Sequence, residues 1–143
     1  MILLPRNCLL QIAAAAERVW PEEGCGLLVG RREQDGAVRI TDVSEAANVA
    51  PREARRSRFE VDPAARFRLL RALRGSDGAL VGHWHSHPKG AAVPSAYDAS
   101  QAFEPDLVWL IISVADGRAG NISAWEVSEG APTFRRLPLS VRP

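Results

Sequence analysis

The stretch Gly82-His83-Trp84-His85-Ser86-His87-Pro88 contains all three histidines of the 143-residue chain. Alternate side chains of an extended strand point to the same face, so this spacing predicts three imidazoles on one face and Trp84 and Ser86 on the other. The apolar run 79–82 leads into the stretch, and Pro88 ends it because proline has no amide hydrogen for sheet pairing. We therefore predict a buried strand whose end presents a metal-binding edge.

Catalytic zinc sites typically use three imidazole or carboxylate ligands and leave the fourth position to water. Spacing alone does not distinguish the pair His83/His85 from the pair His85/His87. Position favours His85 and His87, because Pro88 places His87 at the strand end, where water and substrate have access, while His83 lies deeper. Asp98, in the first turn of the next predicted helix, can supply the third ligand.

The segment Ser95-Ala96-Tyr97-Asp98 also has an ordinary structural explanation. A serine followed three residues later by an acid resembles a capping box, with Ser95 as the N-cap. The two roles are compatible, because a capped helix start holds a ligand rigidly. Glu22 and Glu23 also look like ordinary exposed acids. Their position just before a predicted strand at 25–30 would let a carboxylate reach a metal site on a neighbouring strand.

The rest of the pattern predicts a mixed sheet with about three helices. The predicted helices are 6–20 (capped by Asn7), 63–74 (capped by Asp62) and 95–103. The other predicted strands are 37–43, 59–62, 107–114, 124–127 and 133–137, of which the last two are placed at sheet edges. The pair Asp35-Gly36 predicts a hairpin that makes 25–30 and 37–43 antiparallel. We find no internal repeat or linker, so residues 1–143 are expected to form one domain.

Composition narrows the possible functions. The chain is 46% hydrophobic and 24% charged, as expected of a globular domain with a proper core. Its 18 basic and 17 acidic residues give no electrostatic case for binding nucleic acid or an anionic membrane. No export signal or bilayer-spanning run is evident, so a cytoplasmic location is expected. Cys8 and Cys25 have no CxxC spacing, which favours reduced thiols over a disulfide or a thiolate zinc site.

The segment 45–57 has no periodicity and is rich in arginine. It contains Arg52, Arg55 and Arg56, and Arg58 follows directly. The ordinary explanation is a solvated loop with a basic face. The alternative is a docking surface for an acidic partner.

Three segments together resemble a known family. They are Glu23-Gly24-Cys25-Gly26-Leu27-Leu28, His85-Ser86-His87-Pro88 and Ser95-Ala96-Tyr97-Asp98. They resemble the JAMM (MPN-plus) zinc metalloproteases, whose signature is a Glu, then His-x-His, ten residues, and Asp. Asn48 and the segment 59–63 resemble the short bacterial branch. The implied fold is an α/β JAB/MPN domain, a mixed sheet flanked by helices, similar to the cytidine-deaminase-like arrangement. The sequence does not favour a deaminase, because the His-x-Glu and Pro-Cys-x-x-Cys elements of zinc deaminases are missing.

The resemblance implies that His85, His87 and Asp98 hold zinc, that Glu23 is the general base, and that Ser95 donates a hydrogen bond to the oxyanion. It assigns no required role to His83 or Trp84, and Cys25 is expected to pack within its strand. It also implies cleavage of a peptide or isopeptide bond after the C-terminal glycine of a ubiquitin-like or sulfur-carrier protein, whose tail is expected to lie beside a sheet edge.

Two alternatives remain. One is a cell-wall or phage-tail peptidase of the same fold, which normally has a second catalytic domain. The other is a non-catalytic scaffold, which usually lacks some metal ligands.

Overall fold

The computed structural model describes residues 1–128 and 133–143. Within these residues, eight strands form a mixed sheet in the order β7-β6-β5-β4-β2-β3-β1-β8. The strands are β1 (Ile2–Pro5), β2 (Cys25–Arg32), β3 (Val38–Ala46), β4 (Ala79–His87), β5 (Val108–Ala115), β6 (Arg118–Val127), β7 (Phe134–Leu137) and β8 (Leu139–Arg142). The helices are α1 (Arg6–Val19), α2 (Pro63–Ala72) and α3 (Ala96–Ser100), with a short 3-10 helix at Arg52–Ala54.

One face of the sheet carries the main hydrophobic core. Helix α1 packs there because Ile12 and Ala16 are spaced to share one side of the helix. They meet Leu28, Trp84 and other apolar side chains of the central strands. Each large apolar side chain buried in this way contributes about 1.5–3 kcal/mol to folding. The predicted division of β4 is confirmed, because Trp84 packs in this core, whereas His83 and His85 pack against Trp109 and Phe59 on the opposite face.

The opposite face carries α2, α3 and a smaller apolar cluster. In this cluster Trp109 of β5 packs with Val127, Phe59 and Phe134. The register pairs His83 with Trp109 across the parallel β4 and β5 strands, so the histidine face of β4 belongs to this side. The sheet therefore separates the main core from the chemically active side chains.

A close contact at Gly26 fixes β4 against its neighbours. A Cβ atom at this position would lie 1.8 Å from the Ser44 carbonyl oxygen and 2.3 Å from Nε1 of Trp84. Because glycine leaves this space open, the Trp84 indole donates a 2.9 Å hydrogen bond to that carbonyl. The bond ties the histidine strand to β3 across the intervening β2.

Most of the predicted elements are confirmed. The structure contains the mixed sheet, the three helices and the antiparallel pairing of β2 with β3. Asp62 caps α2 as predicted, because its carboxylate accepts a hydrogen bond from the Ala64 amide. In the part of the chain that the structure describes, no helix has both the length and the apolar character needed to cross a bilayer.

Other predictions were wrong. Asn7 does not cap α1, because the chain passes directly from β1 into the helix and Pro5 occupies the N-cap position without a side-chain bond. The predicted strand 59–62 is reduced to an isolated bridge between Asn48 and Val61. The segment 124–127 belongs to the longer strand β6, which lies inside the sheet because β7 pairs along its outer side. Strands β1 and β8 were missed entirely.

Candidate active site

The predicted site residues converge at the end of β4. Strand β4 lies between β2 and β5, and it ends at His87. His85 is fully buried and His87 is 9% exposed, which places the second imidazole at the mouth of the site. Asp98 on α3 and Glu23 just before β2 are also buried, at 2% and 5% exposure. Buried polar side chains at this density need mutual partners or a bound ion.

Three donor atoms form a nearly equilateral triangle. Nε2 of His85 lies 3.0 Å from Nε2 of His87, and Oδ2 of Asp98 lies 3.1 and 3.2 Å from these two nitrogens. A tetrahedral zinc with ligand distances of about 2.0–2.1 Å separates its ligand atoms by roughly 3.3 Å. The triangle therefore matches one face of a zinc tetrahedron within a few tenths of an ångström. The residues fit a metal ion.

The capping box predicted at Ser95 is confirmed, and it holds Asp98 in place. The Ser95 side chain accepts a 3.0 Å hydrogen bond from the Asp98 amide, and the Asp98 carboxylate accepts a 2.9 Å bond from the Ser95 amide. Burial acts to raise the pKa of Asp98. Hydrogen bonds from His85 and His87 outweigh burial and hold that pKa well below its usual value. Asp98 is therefore held as a carboxylate.

The two imidazoles are oriented by different contacts. His87 donates from Nδ1 to the Ala91 carbonyl at 3.0 Å, which turns Nε2 toward His85 and Asp98, where it can act as a ligand once deprotonated. Burial acts to lower the pKa of His87, but its hydrogen bonds to Asp98 and Ala91 raise it overall. His85 stacks on Phe59 with ring centroids 4.3 Å apart, and burial lowers its pKa. His85 therefore favours the neutral form that coordinates metal.

Glu23 is held by its backbone, while its carboxylate is free. Its amide donates to the Arg55 carbonyl at 2.7 Å, and its carbonyl accepts a 2.9 Å bond from the Asn48 side chain. Oε1 is buried without a hydrogen-bond partner among the described residues. Burial raises the pKa of Glu23 to about 8, although the nearby His87 opposes the shift. One side-chain nitrogen or oxygen atom from each of Glu23, His85 and His87 lies within 4.8 Å of the other two, so the carboxylate faces the same point as the imidazoles.

Asn48 connects Glu23 to the loop that borders the site. Its amide nitrogen donates to the carbonyls of Glu23 and Arg58, at 2.9 and 3.1 Å. Its amide oxygen accepts from the backbone of Ala50 and Glu60, both at 3.1 Å. All four hydrogen-bonding positions of this side chain are therefore used. Sequence reasoning identified Asn48 only through the family resemblance and did not anticipate this role.

His83 and Cys25 lie next to the donor triangle without contributing an atom to it. His83 packs edge-on against Trp109 with ring centroids 4.4 Å apart. Its pKa is lowered to about 3, mainly by burial and to a smaller extent by the nearby His85. Cys25 is the cross-strand neighbour of His85. Its thiol contacts the carbonyls of residues 46 and 47, and burial raises its pKa to about 12. The thiol therefore stays protonated, which agrees with a packing role.

The arginine-rich segment is partly anchored through Arg55 and Arg58, whereas Arg52 and Arg56 are exposed. Arg55 donates from Nε to the Ala50 carbonyl at 2.8 Å. The guanidinium of Arg58 lies 4.4 Å from the centre of the Tyr97 ring, next to Asp98. Through Asn48 and Phe59, which contact Glu23 and His85, this segment forms one wall beside the donor triangle.

Comparison with known proteins agrees with this arrangement. A family model described as prokaryotic homologs of the JAB domain matches residues 5–128. The chain belongs to this JAB family. The match confirms the resemblance to the JAMM proteins and the expected fold.

Individual proteins are also similar to this chain in sequence or in structure. A desampylase from Haloferax volcanii is 37% identical over 123 residues, which cover 85% of this chain and 79% of the relative. A CysO-cysteine peptidase from Mycobacterium tuberculosis is 28% identical over 122 residues, which cover 85% of this chain and 80% of the relative. The solution structure of a protein from Desulfitobacterium hafniense superimposes with a TM-score of 0.84 at 27% identity, covering 99% of this chain and 93% of that one.

Proposed function

We propose that residues 1–143 form a single zinc-dependent peptidase domain. It hydrolyses a peptide or isopeptide bond after the C-terminal glycine of a ubiquitin-like or sulfur-carrier protein. The similarity to a desampylase and to a CysO-cysteine peptidase supports this substrate class.

The observation that carries the proposal is the donor triangle beside an unpartnered buried carboxylate. Two imidazole nitrogens and one carboxylate oxygen, 3.0–3.2 Å apart, are the donor set and spacing that suit zinc. His85, His87 and Asp98 are therefore assigned as ligands. Glu23 makes no hydrogen bond to either imidazole among the described residues, so its carboxylate is available for proton transfer. A non-catalytic scaffold would not need this group.

Zinc, when bound, makes a water molecule acidic near neutral pH and polarises a carbonyl group. Glu23 then takes the proton of the attacking water on Oε1, as an oxygen–carbon bond forms at the scissile carbonyl. The same carboxyl group delivers that proton to the nitrogen as the carbon–nitrogen bond breaks, so the amine leaves neutral. A carboxylate whose pKa is raised to about 8 by burial is well matched to both steps near neutral pH.

Ser95 is assigned as the oxyanion donor. Its oxygen already accepts the Asp98 amide bond, which leaves the hydroxyl proton available to the developing negative charge. Losing one such donor typically lowers kcat by about 10²–10³. Ser95 would thus combine this role with capping α3.

A substrate tail paired with either outer edge of the sheet would lie far from the proposed ligands. Edge strands β7 and β8 lie three and four positions from β4 in the sheet order. At about 4.8 Å per strand, these edges are roughly 14 and 19 Å away. We propose that the tail approaches along the wall formed by the segment 47–61, where the exposed Arg52 and Arg56 suit an acidic carrier surface.

Incubation with a carrier protein extended beyond Gly-Gly, followed by mass spectrometry, tests the proposal. The wild type should release the extension, and Glu23→Gln should lose at least about a hundredfold in rate while retaining zinc. Glu22→Gln is the matched control, because it makes the same change one residue away. Equal cleavage by the wild type and Glu23→Gln would refute the assigned base.

A further inference from the structure

A cavity next to the proposed metal site has no role in the mechanism above. This side pocket has a volume of about 440 Å³ and lies between α2 and α3. Its floor is formed by Leu27 of β2, His83 of β4 and Trp109 of β5. Phe59 and Tyr97 form walls. The pocket is large enough for one bulky side chain but small for a second peptide segment.

The side pocket adjoins the ligands on two sides. Phe59, which forms one wall, stacks on His85 at 4.3 Å. Tyr97, which forms another, directly precedes Asp98 in the sequence. His83 on the floor is two residues before His85 on the same strand face, or about 6.6 Å away. A peptide residue adjacent to the bond under attack therefore has its side chain within reach of the pocket.

The walls determine which chemistry the side pocket accepts. Leu27 and Trp109 are buried apolar groups, and Phe59 adds a second aromatic ring. At the rim, Arg66 and Glu104 already satisfy each other through two 2.7 Å hydrogen bonds. The remaining acid, Glu60, disfavours a negatively charged occupant. Apart from Gln101 and His83, the rest of the lining is apolar or aromatic.

One polar group of the floor has no partner. Nδ1 of His83 is shielded from solvent and makes no hydrogen bond to any other described residue. Buried nitrogen atoms without partners are uncommon in folded proteins and need an explanation. The imidazole also presents a polar edge among apolar neighbours, as expected in a pocket that orients its ligand.

We infer that the side pocket is a specificity subsite for the residue released by cleavage, and that it prefers a bulky apolar or aromatic side chain. This rests on the proposed function, since it assumes cleavage after a glycine. A Gly-Gly tail has no side chain to place in the pocket, and its nearest upstream side chain is about 10 Å from the cleaved bond. The released residue has its side chain directly at the bond and reaches the pocket without distortion.

The test uses the carrier of the cleavage assay, extended after Gly-Gly by one residue X. With X as alanine, leucine, phenylalanine or aspartate, we expect kcat/KM for leucine and phenylalanine to exceed that for alanine roughly tenfold or more. Aspartate should be the poorest substrate. Leu27→Phe, which fills the pocket, should lower the ratio of kcat/KM for the phenylalanine substrate to that for the alanine substrate. Leu27→Ala, which enlarges the pocket, should raise this ratio. Leu70→Phe, the same substitution on an exposed part of α2, should leave the ratio unchanged.

Melting temperature and zinc content show whether each Leu27 variant folds. If one of the two does not fold, the substrate ratio of the other tests the inference. The inference is overturned if the wild type cleaves all four substrates within about threefold of one another, or if a folded Leu27 variant leaves the ratio unchanged. Failure of the wild type to cleave any substrate would instead overturn the proposed function.

Discussion

Replacing Asn48 with aspartate tests how Glu23 is held. The substitution keeps the size of the side chain and its two acceptor bonds from Ala50 and Glu60. It removes both donor bonds and places a carboxylate oxygen against the carbonyls of Glu23 and Arg58. Each lost hydrogen bond costs about 0.5–1.5 kcal/mol, and the unpaired carbonyls add a desolvation cost. We expect a fall of about 2–3 kcal/mol in the free energy of unfolding.

The activity should fall further than this stability loss explains. The Asn48 bond holds the Glu23 backbone, and a displacement of about 1 Å in a catalytic group can cost roughly 10² in rate. We therefore expect Asn48→Asp to lower kcat about 10- to 100-fold, with KM and zinc content nearly unchanged because the ligands lie on β4 and α3. Urea unfolding, steady-state kinetics and metal analysis measure the three quantities.

Asn121→Asp, the same change at an exposed position of β6, serves as the control. The reasoning is refuted if Asn48→Asp unfolds like the wild type. The reasoning is also refuted if kcat of Asn48→Asp falls only in proportion to the zinc that the variant loses, because the substitution would then act on metal binding and not on Glu23.

Four further outcomes are expected. His87→Ala should abolish stoichiometric zinc in metal analysis, whereas His83→Ala should retain it, because His87 contributes an atom to the donor triangle and His83 does not. Zinc affinity, measured by competition with a chelator, should fall as the pH drops below the raised pKa of His87, because the proton and the metal compete for Nε2. Ser95→Ala should lower the free energy of unfolding by about 1 kcal/mol through loss of the cap, and should lower kcat more steeply than KM changes. Gly26→Ala should cost about 3 kcal/mol or more in urea unfolding, since the added methyl group would overlap the Ser44 carbonyl.

The residues of the donor triangle could be predicted because their positions depend on local periodicity. His85 and His87 share a face through the two-residue repeat of a strand, and Pro88 marks where that strand ends. Asp98 is fixed by the capping box that Ser95 begins, which is also a local pattern. Three of the candidate residues therefore follow from rules that operate within a few residues of the chain.

The remainder depends on contacts between distant parts of the chain. Strand β1 has four residues and pairs with β8, more than 130 residues away, so no local pattern marks either strand. The role of Asn48 depends on four backbone partners that only the folded loop brings together. The side pocket exists because α2 and α3 leave a gap over Trp109. Local sequence cannot show how two helices will be spaced.

The position of β4 has a consequence for how metal would be lost. Strand β4 is hydrogen-bonded on both sides, so His85 and His87 belong to the part of the sheet that opens last. Asp98 lies instead on a five-residue helix, reached through a loop and held largely by its own capping box. We expect amide hydrogen exchange to be slow across residues 81–87 and fast across residues 89–101, with zinc slowing the second segment selectively. Metal exchange would then proceed through local opening of one ligand arm, while the sheet remains folded.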